Sequence, residues 1–316
     1  MKKILVTGAF GQIGSELVPA LRSRHGKENV IAADVRPPSE EQKSHGPTEV
    51  LDVTKTADLE RAISAHSVDT IYHLAGLISA GSEKNPELGW QVNMVGLKNV
   101  LDVCVKHKIR LFWPSSIAVF GPNTPKKMTP QHTVIEPTTI YGVAKIAGEL
   151  LCQYYYKRYG LDVRSVRYPG IIQWKTDPAD GTTEYSIAMF YEGLKTGKYQ
   201  CFLREDSALP MMYIDDAIKA TLDLMDAPSE KLTIRMSYNL AAVTFTPKEL
   251  ADELKKHIPN LSVTYAPDFH QPIADSWPQS IDDSQAREDW NWKHKYGLAE
   301  MTEIMFKNLS KKLGMA

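Results

Sequence analysis

Tyr141 and Lys145 lie four residues apart in a segment with helical spacing, so their side chains share one face of the predicted helix. A free phenol ionises at about pH 10, but a neighbouring ammonium favours the phenolate, which could then take a proton from an alcohol. The lysine could also hold a ribose of a bound cofactor. The same pair on a solvated helix face would do no chemistry, and the spacing alone leaves both interpretations open.

Ser115 and Ser116 end an apolar strand that precedes this helix. One of the two hydroxyls could donate a hydrogen bond to a substrate oxygen, whereas the other could serve only to close the strand. A glycine-rich turn, strand-end serines and a Tyr–Lys pair in this order are much less expected by chance than any one of them. The order therefore favours the oxidation of an alcohol by a dinucleotide.

Three glycines, Gly8, Gly11 and Gly14, follow the first predicted strand and open the first predicted helix. A tight turn at this place brings backbone amides close to a diphosphate, and the helix amino terminus adds partial positive charge. A plain turn would show the same residues. Leu74 and Ala75 end the fourth strand, and small residues there would let a cofactor lie against the backbone.

Asp34 stands twenty residues beyond Gly14 at the end of the second strand, where a carboxylate can accept hydrogen bonds from ribose hydroxyls. It would repel a 2′-phosphate, which favours NAD over NADP, although Arg36 could hold such a phosphate; a simple turn residue is the alternative for Asp34. Asp52 and Val53 follow the third strand and could flank an adenine, but Asp52 could equally cap the next helix.

Short apolar strands alternate with segments of helical spacing. The predicted strands are Ile4–Val6, Val30–Ala33, Thr70–Leu74, Leu111–Pro114 and Val163–Arg167. The predicted helices are Gln12–Ser23, Lys55–Ala65, Gly89–Lys106, Tyr141–Tyr159, Ile187–Lys195, Asp215–Met225, Pro247–His257 and Gly297–Lys312. This alternation predicts an α/β fold with a Rossmann-type, doubly wound parallel sheet. The polar segment Arg36–Pro47 is predicted to be an exposed loop.

The regular alternation breaks after Pro169 and Gly170, where a loop rich in Asp, Gly, Pro and Thr begins. We therefore expect a dinucleotide-binding domain over residues 1–172, with a return of the chain around 211–243. Residues 173–316 are expected to form mainly a smaller, mixed substrate-binding lobe.

Composition excludes several classes of protein. The chain has 316 residues, 43% of them hydrophobic and 24% charged, and its net charge of −1 gives no basic tail for nucleic acid or anionic lipid. Three widely spaced cysteines and scattered histidines indicate neither a disulfide framework nor a metal site. The first strand follows Met1 almost directly, so we expect no membrane span and a cytoplasmic location, although a processed organellar protein would look the same.

The order of these motifs resembles the extended short-chain dehydrogenase/reductase superfamily. Several further strings resemble the L-threonine 3-dehydrogenases, a family within that superfamily, and extend the resemblance over nearly the whole chain. They are WPSSIAVFGP at Trp113–Pro122, RSVRYPGI at Arg164–Ile171, GTTEY at Gly181–Tyr185, LPMMYIDDA at Leu209–Ala217 and DSWPQSIDDSQAR at Asp275–Arg287.

The resemblance implies NAD-dependent oxidation of the β-hydroxyl of free L-threonine to 2-amino-3-oxobutyrate. It implies that Tyr141 is the base, Lys145 its electrostatic partner and Ser116 the donor to the substrate hydroxyl. The diphosphate would lie on Gly8, Gly11, Gln12, Ile13 and Gly14, and the adenosine half on Asp34, Asp52 and Val53. Ser79, Thr182 and Thr183 would hold the amino and carboxylate groups of the substrate.

Two rival functions and the assembly state complete the expectations. A nucleotide-sugar epimerase or dehydratase would use the same Ser/Tyr/Lys set, but the few lysines at Lys175, Lys195 and Lys198 argue for a small substrate. A non-catalytic protein that senses NAD would not need that complete set. The helices Gly89–Lys106 and Tyr141–Tyr159 could pair across a two-fold axis, so we expect a homodimer.

Overall fold

Residues 3–315 are described by a computed structural model, in which contacts within the chain define two units. Unit 1 comprises the chain up to Ser116, Thr139–Arg167 and Ile218–Tyr238; unit 2 comprises Ile117–Thr138, Tyr168–Ala217 and the chain from Asn239 onward. The assignment of the cofactor and the substrate to separate domains stays a prediction.

Strands and helices alternate through the first part of the chain. The strands are β1 Ile4–Thr7, β2 Val30–Asp34, β3 Thr48–Val50, β4 Thr70–His73, β5 Arg110–Phe112, β6 Ser115–Ser116, β7 Val163–Arg164, β8 Val166–Tyr168, β9 Gly170–Ile172, β10 Lys198–Cys201, β11 Leu209–Tyr213, β12 Tyr238–Asn239, β13 Val243–Phe245 and β14 Ser262–Tyr265. The α-helices are α1 Gly14–His25, α2 Glu40–Ser44, α3 Thr56–His66, α4 Ser79–Lys84, α5 Pro86–Trp90, α6 Gly96–His107, α7 Ile140–Tyr159, α8 Tyr185–Thr196, α9 Ile214–Asp226, α10 Pro247–Lys255, α11 His270–Ser276, α12 Ser284–Trp290 and α13 Leu298–Lys312.

Unit 1 is built on a six-stranded sheet in the order β3-β2-β1-β4-β5-β7, and every neighbouring pair in it is parallel. Every residue of β1, β2 and β4 is buried, as expected when helices cover both faces of a parallel sheet. The strand order reverses between β1 and β4, and open α/β sheets bind ligands outside the carboxyl ends of the strands at such a point. The predicted fold class is confirmed.

Two predicted segments differ from the structure because of local capping. The segment Arg36–Pro47, predicted as a loop, contains α2, which Ser39 and Gln42 start with a reciprocal capping box. The predicted helix Gly89–Lys106 is instead α5, a π-helix at Gln91–Val95 and α6. An earlier start at Pro86 is favoured by the side chain of Asn85, which accepts from the amide of Leu88.

The predicted strand Val163–Arg167 divides into β7 and β8. β7 pairs with β5 in the central sheet, whereas β8 belongs to a separate three-stranded sheet in the order β12-β8-β6. The break falls at Ser165, whose hydroxyl shares a hydrogen bond with that of Ser237 at 2.6 Å. Alternation of apolar residues cannot predict such a change of partner strand.

Unit 2 contains a three-stranded sheet, β13-β11-β9, and a parallel pair, β10-β14. Helices α8, α10 and α13 pack against one another in this unit. Within residues 3–315, no helix is both long and apolar enough to cross a membrane.

Helix α7 approaches the end of β5 very closely at Gly148. A Cβ atom added there would lie 2.5 Å from Cη2 of Trp113 and 3.0 Å from Cδ2 of Leu97. Both neighbours belong to the buried core of unit 1 and have little room to move. Gly148 therefore sets the distance between α7 and the segment that follows β5.

We predict that Gly148→Ala destabilises the protein by about 1–3 kcal/mol, because the added methyl group overpacks the core. Thermal unfolding would show a clearly lower melting temperature than that of wild type. Lys157→Ala, at an exposed position of the same helix, is the control and should change stability by no more than about 0.5 kcal/mol. Equal melting temperatures for wild type and Gly148→Ala would contradict this close packing.

Candidate active site

The turn after β1 is tight because glycines remove the side chains that would block it. Gly8 has a φ of +69°, and a Cβ atom there would lie 2.6 Å from the amide nitrogen of Ala75. A Cβ atom on Gly14 would lie 2.4 Å from the carbonyl oxygen of Gly8. The turn therefore packs directly on the segment Leu74–Ala75 at the end of β4. The first residue of α1, Gly14, packs on the backbone of the same turn.

The amino terminus of α1 is open towards a ligand. Ile13 is the N-cap residue, and none of the described side chains caps the helix. A Cβ atom on Gly11 would lie 3.3 Å from the carbonyl oxygen of Gly8, and apart from the adjacent residues no other described heavy atom lies within 4 Å of that position. The backbone amides of Gln12, Ile13 and Gly14 lie at the positive end of the helix dipole, which is an arrangement that suits a diphosphate.

Asp34 ends β2 and is almost completely buried, with 6% of its surface exposed. Its Oδ1 accepts from the amide and Nε of Arg36, at 3.1 and 3.0 Å, and its Oδ2 accepts from the amide of Phe10 and Nη2 of Arg36, both at 3.1 Å. Burial would raise the pKa of Asp34, but these hydrogen bonds outweigh it and the pKa is lowered. Asp34 is therefore a carboxylate whose four acceptor positions are filled.

Asp52 closes a turn ahead of α3. Its Oδ1 accepts from the amide of Thr54 at 3.0 Å and from its hydroxyl at 2.7 Å, whereas the N-cap position of α3 is Lys55. The side chain of Val53 is buried in the core, and a Cβ atom on Gly96 would lie 2.8 Å from its Cγ2. Val53 can therefore contact an adenine only through its backbone.

Lys145 is buried on α7, with 9% of its surface exposed. Its ammonium donates to the carbonyl of Pro114 at 2.6 Å and lies 4.7 Å from the ring centre of Trp113 and 5.5 Å from that of Tyr141. Burial lowers the pKa of Lys145 to about 8, against the opposite effect of Cys152 and Glu149. The ammonium thus stands beside the phenol as a cation that gives up its proton easily.

Tyr141 is partly buried in the first turn of α7, and its hydroxyl is hydrogen-bonded to the side chain of Ser116. The side chain of Thr139 caps this helix by accepting from the amide of Gly142 at 3.1 Å. Burial raises the pKa of Tyr141 to about 12, although the hydrogen bond with Ser116 acts in the opposite direction. Without a further positive charge, the phenol is neutral at pH 7.

The two serines have different partners. Ser116 faces Tyr141, whereas the hydroxyl of Ser115 donates to Oε1 of Glu149 at 2.6 Å. Unit 1 therefore brings Ser116, Tyr141 and Lys145 together, and it directs Ser115 away from them.

The remaining predicted substrate residues lie in other segments. Ser79 is the first residue of α4. In unit 2, Thr182 is buried. Thr183 packs against Gly170, because a Cβ atom added to Gly170 would lie 2.7 Å from Cγ2 of Thr183. Next to them, burial raises the pKa of Glu184 to about 7.

Comparison with known proteins gives the family. Residues 4–241 match the model of the NAD dependent epimerase/dehydratase family. The chain belongs to this family. The superfamily that the motif order resembles is thereby confirmed.

Individual members of the family resemble the chain over almost its full length. The mitochondrial L-threonine 3-dehydrogenase of Bos taurus is 47% identical over 305 residues, which are 96% of this chain and 82% of that protein. The holo form of a GalE-like L-threonine dehydrogenase from Cupriavidus necator is 49% identical, with a TM-score of 0.95, and covers 97% of this chain and 99% of its own. A monomeric L-threonine 3-dehydrogenase from a metagenome is 47% identical, with a TM-score of 0.94, covering 98% and 99%.

The sequence of this protein does not predict two side chains that lie near the candidate active site. Asn93, in the π-helix, accepts from the amide of Leu77 at 2.8 Å and donates to its carbonyl at 3.0 Å, so it fixes the segment just before Ser79. Glu149 is fully buried although it is charged. Its position on the same helix face as Tyr141 and Lys145 is the signal that could have indicated it.

The apolar strand around His73 predicts a satisfied core histidine, and the structure agrees only in part. His73 is buried, and its Nδ1 shares a hydrogen bond with the hydroxyl of Thr7 at 2.8 Å. Nε2 has no hydrogen-bond partner among residues 3–315. Burial, together with the charge of Lys145, lowers the pKa of His73 to about 3, so the ring is neutral.

We predict that Lys145→Met changes how stability depends on pH. The folded-state pKa of Lys145, about 8, lies below its unfolded value of about 10.4. The unfolded state therefore binds more protons between these values, and this group makes wild-type stability rise with pH across that window. Below pH 8 Lys145 is protonated in both states, and burying its ammonium then lowers the stability of the folded protein by about 3 kcal/mol.

Chemical unfolding of wild type and Lys145→Met at about pH 7 and about pH 9.5 measures this effect. The variant should lack the part of this rise in stability with pH that Lys145 causes. Parallel stability curves for the two proteins would mean that the ammonium is not buried as described.

Proposed function

We propose that this chain is an NAD-dependent L-threonine 3-dehydrogenase that oxidises the β-hydroxyl of L-threonine to 2-amino-3-oxobutyrate. The observation that carries the proposal is the joint presence of two features. Unit 1 groups Ser116, Tyr141 and Lys145 at the end of β6 and the start of α7. Relatives named as threonine dehydrogenases match the chain through both units.

The proposed cofactor residues lie at the carboxyl ends of the first four strands of unit 1. The turn after β1 and the start of α1 would hold the diphosphate, and Leu74 and Ala75 would form the floor beneath it. Asp34 would accept from the ribose hydroxyls, and Asp52 with the backbone of Val53 would face the adenine. Tyr141 and Lys145 would hold the second ribose. When bound, NAD supplies the hydride acceptor and a positive charge on its nicotinamide ring.

The chain's own residues would then handle the proton. The hydroxyl of Ser116 holds the substrate hydroxyl, and Tyr141 receives its proton as the hydride leaves the β-carbon. The Lys145 ammonium stabilises the phenolate that this step requires, and burial keeps water from screening the interaction. Ser79, Thr182 and Thr183 would bind the amino and carboxylate groups of the amino acid.

We also propose a homodimer formed by α7 and its neighbours. Val143, Leu150 and Tyr154 are exposed apolar side chains on one face of α7, and Leu88 and Trp90 are exposed on α5, which packs against it. A second copy would cover this surface. One relative is described as monomeric, so the surface, and not the family, supports this proposal. The cytoplasmic location stays a prediction.

A substrate panel tests the proposed reaction. Purified protein with NAD is expected to form NADH with L-threonine, and the panel also contains its diastereomers, L-serine and a UDP-hexose. Tyr141→Phe should lower kcat by about 10²- to 10⁴-fold, as for a lost acid/base group, while NAD binding changes little. Turnover of the sugar alone would favour the epimerase or dehydratase alternative. Unchanged turnover in Tyr141→Phe would refute the assignment of the base.

The four hydrogen bonds that the Asp34 carboxylate already accepts lead to a prediction about cofactor preference. Ribose hydroxyls must replace hydrogen bonds from Arg36, whose side chain is 59% exposed and free to move away. Arg36→Ala should therefore retain use of NAD but lose a nearby cation for a 2′-phosphate. We expect the ratio of kcat/KM for NAD over NADP to rise by about tenfold. An equal loss of kcat/KM with NAD and with NADP would contradict this, because it would mean that Arg36 contributes to binding the adenosine part that both cofactors share.

A further inference from the structure

A fully buried ion pair lies one helical turn beyond Lys145. Glu149 and Arg167 are 0% and 1% exposed. Nε of Arg167 donates to Oε1 of Glu149 at 2.9 Å, and Nη2 donates to Oε2 at 2.8 Å. Removing two charges from water is costly, and apolar residues of similar volume would often stabilise a core equally well. Stability alone therefore does not explain why this ion pair lies in the core.

The carboxylate of Glu149 joins three elements of unit 1. It belongs to α7, Arg167 belongs to β8, and the hydroxyl of Ser115 on β6 donates to its Oε1 at 2.6 Å. A carboxylate that accepts from both partners fixes their directions as well as their distances. The end of β6 is thereby tied to a defined point on α7.

That tie acts on the two segments that carry the proposed chemistry. Ser115 immediately precedes Ser116, and Glu149 follows Lys145 by four residues and Tyr141 by eight, on the same helix face. Ser116 and Tyr141 come from different elements, and their mutual hydrogen bond requires the two elements to keep one register. The Glu149 carboxylate also favours the cationic form of Lys145, whose pKa it raises against the effect of burial.

We infer that Glu149 and Arg167 are positioning residues, which act through Ser115 to hold Ser116 in register with Tyr141 without touching the substrate. This inference rests on the proposed function of Ser116, Tyr141 and Lys145. It assigns different work to the two adjacent serines: Ser116 contacts the substrate, and Ser115 anchors the strand that presents it.

Three variants separate positioning from stability. Ser115→Ala removes only the anchoring hydroxyl. The double variant Glu149→Met with Arg167→Met replaces the ion pair by apolar side chains and leaves neither partner behind as a lone buried charge, so it avoids the penalty of a single replacement. Asp162→Asn is the control, because it weakens the ion pair of Arg164, another buried arginine of unit 1, whose guanidinium also donates to backbone carbonyls at the end of α9.

Melting temperature, kcat, and the KM values for L-threonine and NAD are measured for each variant. Positioning predicts that Ser115→Ala and the double variant melt within about 4 °C of wild type, bind NAD with an unchanged KM, and lose about 10- to 100-fold in kcat. The control should keep its kcat. A purely structural pair would instead give a double variant whose kcat equals that of wild type whenever it folds.

Normal kcat in either Ser115→Ala or the folded double variant would overturn the inference. If the double variant does not fold, Ser115→Ala alone decides, since it changes one hydroxyl. Failure of the proposed function is recognised separately, because wild type would then form no NADH from L-threonine, or Tyr141→Phe would keep full turnover. An inactive Tyr141→Phe together with a fully active Ser115→Ala would leave the proposed function intact and remove only the role of the ion pair.

Discussion

The ammonium of Lys145 is held out of water by α7, by the carbonyl of Pro114 and by the ring of Trp113. Burial lowers its pKa to about 8, and the same burial raises the pKa of Tyr141 to about 12. The phenol therefore resists ionisation, and its hydrogen bond with Ser116 acts against this resistance. In the proposed reaction, the Lys145 cation beside the phenol would stabilise the phenolate further. The close approach at Gly148 is what keeps α7 near enough to Trp113 for this burial.

The proposed cofactor site depends on a different constraint, which is the parallel order of the sheet. Because β1, β2 and β4 are neighbours, their carboxyl ends place the glycine-rich turn, Asp34 and the segment Leu74–Ala75 along one edge. The turn can lie against Ala75 only because Gly8 has no side chain. Sheet order and glycine placement therefore act together, and neither alone would form the proposed dinucleotide site.

The sequence predicts the fold class and most elements, because apolar strands and helices with regular spacing are local patterns. The same holds for Tyr141 and Lys145, which share one helix. Contacts between distant segments could not be predicted in this way: the pairing of Glu149 with Arg167 joins a helix to a strand, and a charged residue is ordinarily expected at the surface. The hydrogen bonding of Asp34 by Arg36 is likewise not predictable, since the sequence indicates both residues but the direction of the guanidinium depends on the folded backbone.

The most direct measurement is an ultraviolet difference titration of the phenolate, recorded as wild type minus Tyr141→Phe, without NAD and with saturating NAD. We predict that Tyr141 stays protonated at least up to about pH 10, the ordinary value for a phenol, in the ligand-free protein. Its ionisation should move to a clearly lower pH when NAD is present. A phenolate at neutral pH in the ligand-free protein, or a titration that NAD does not move, would contradict this prediction.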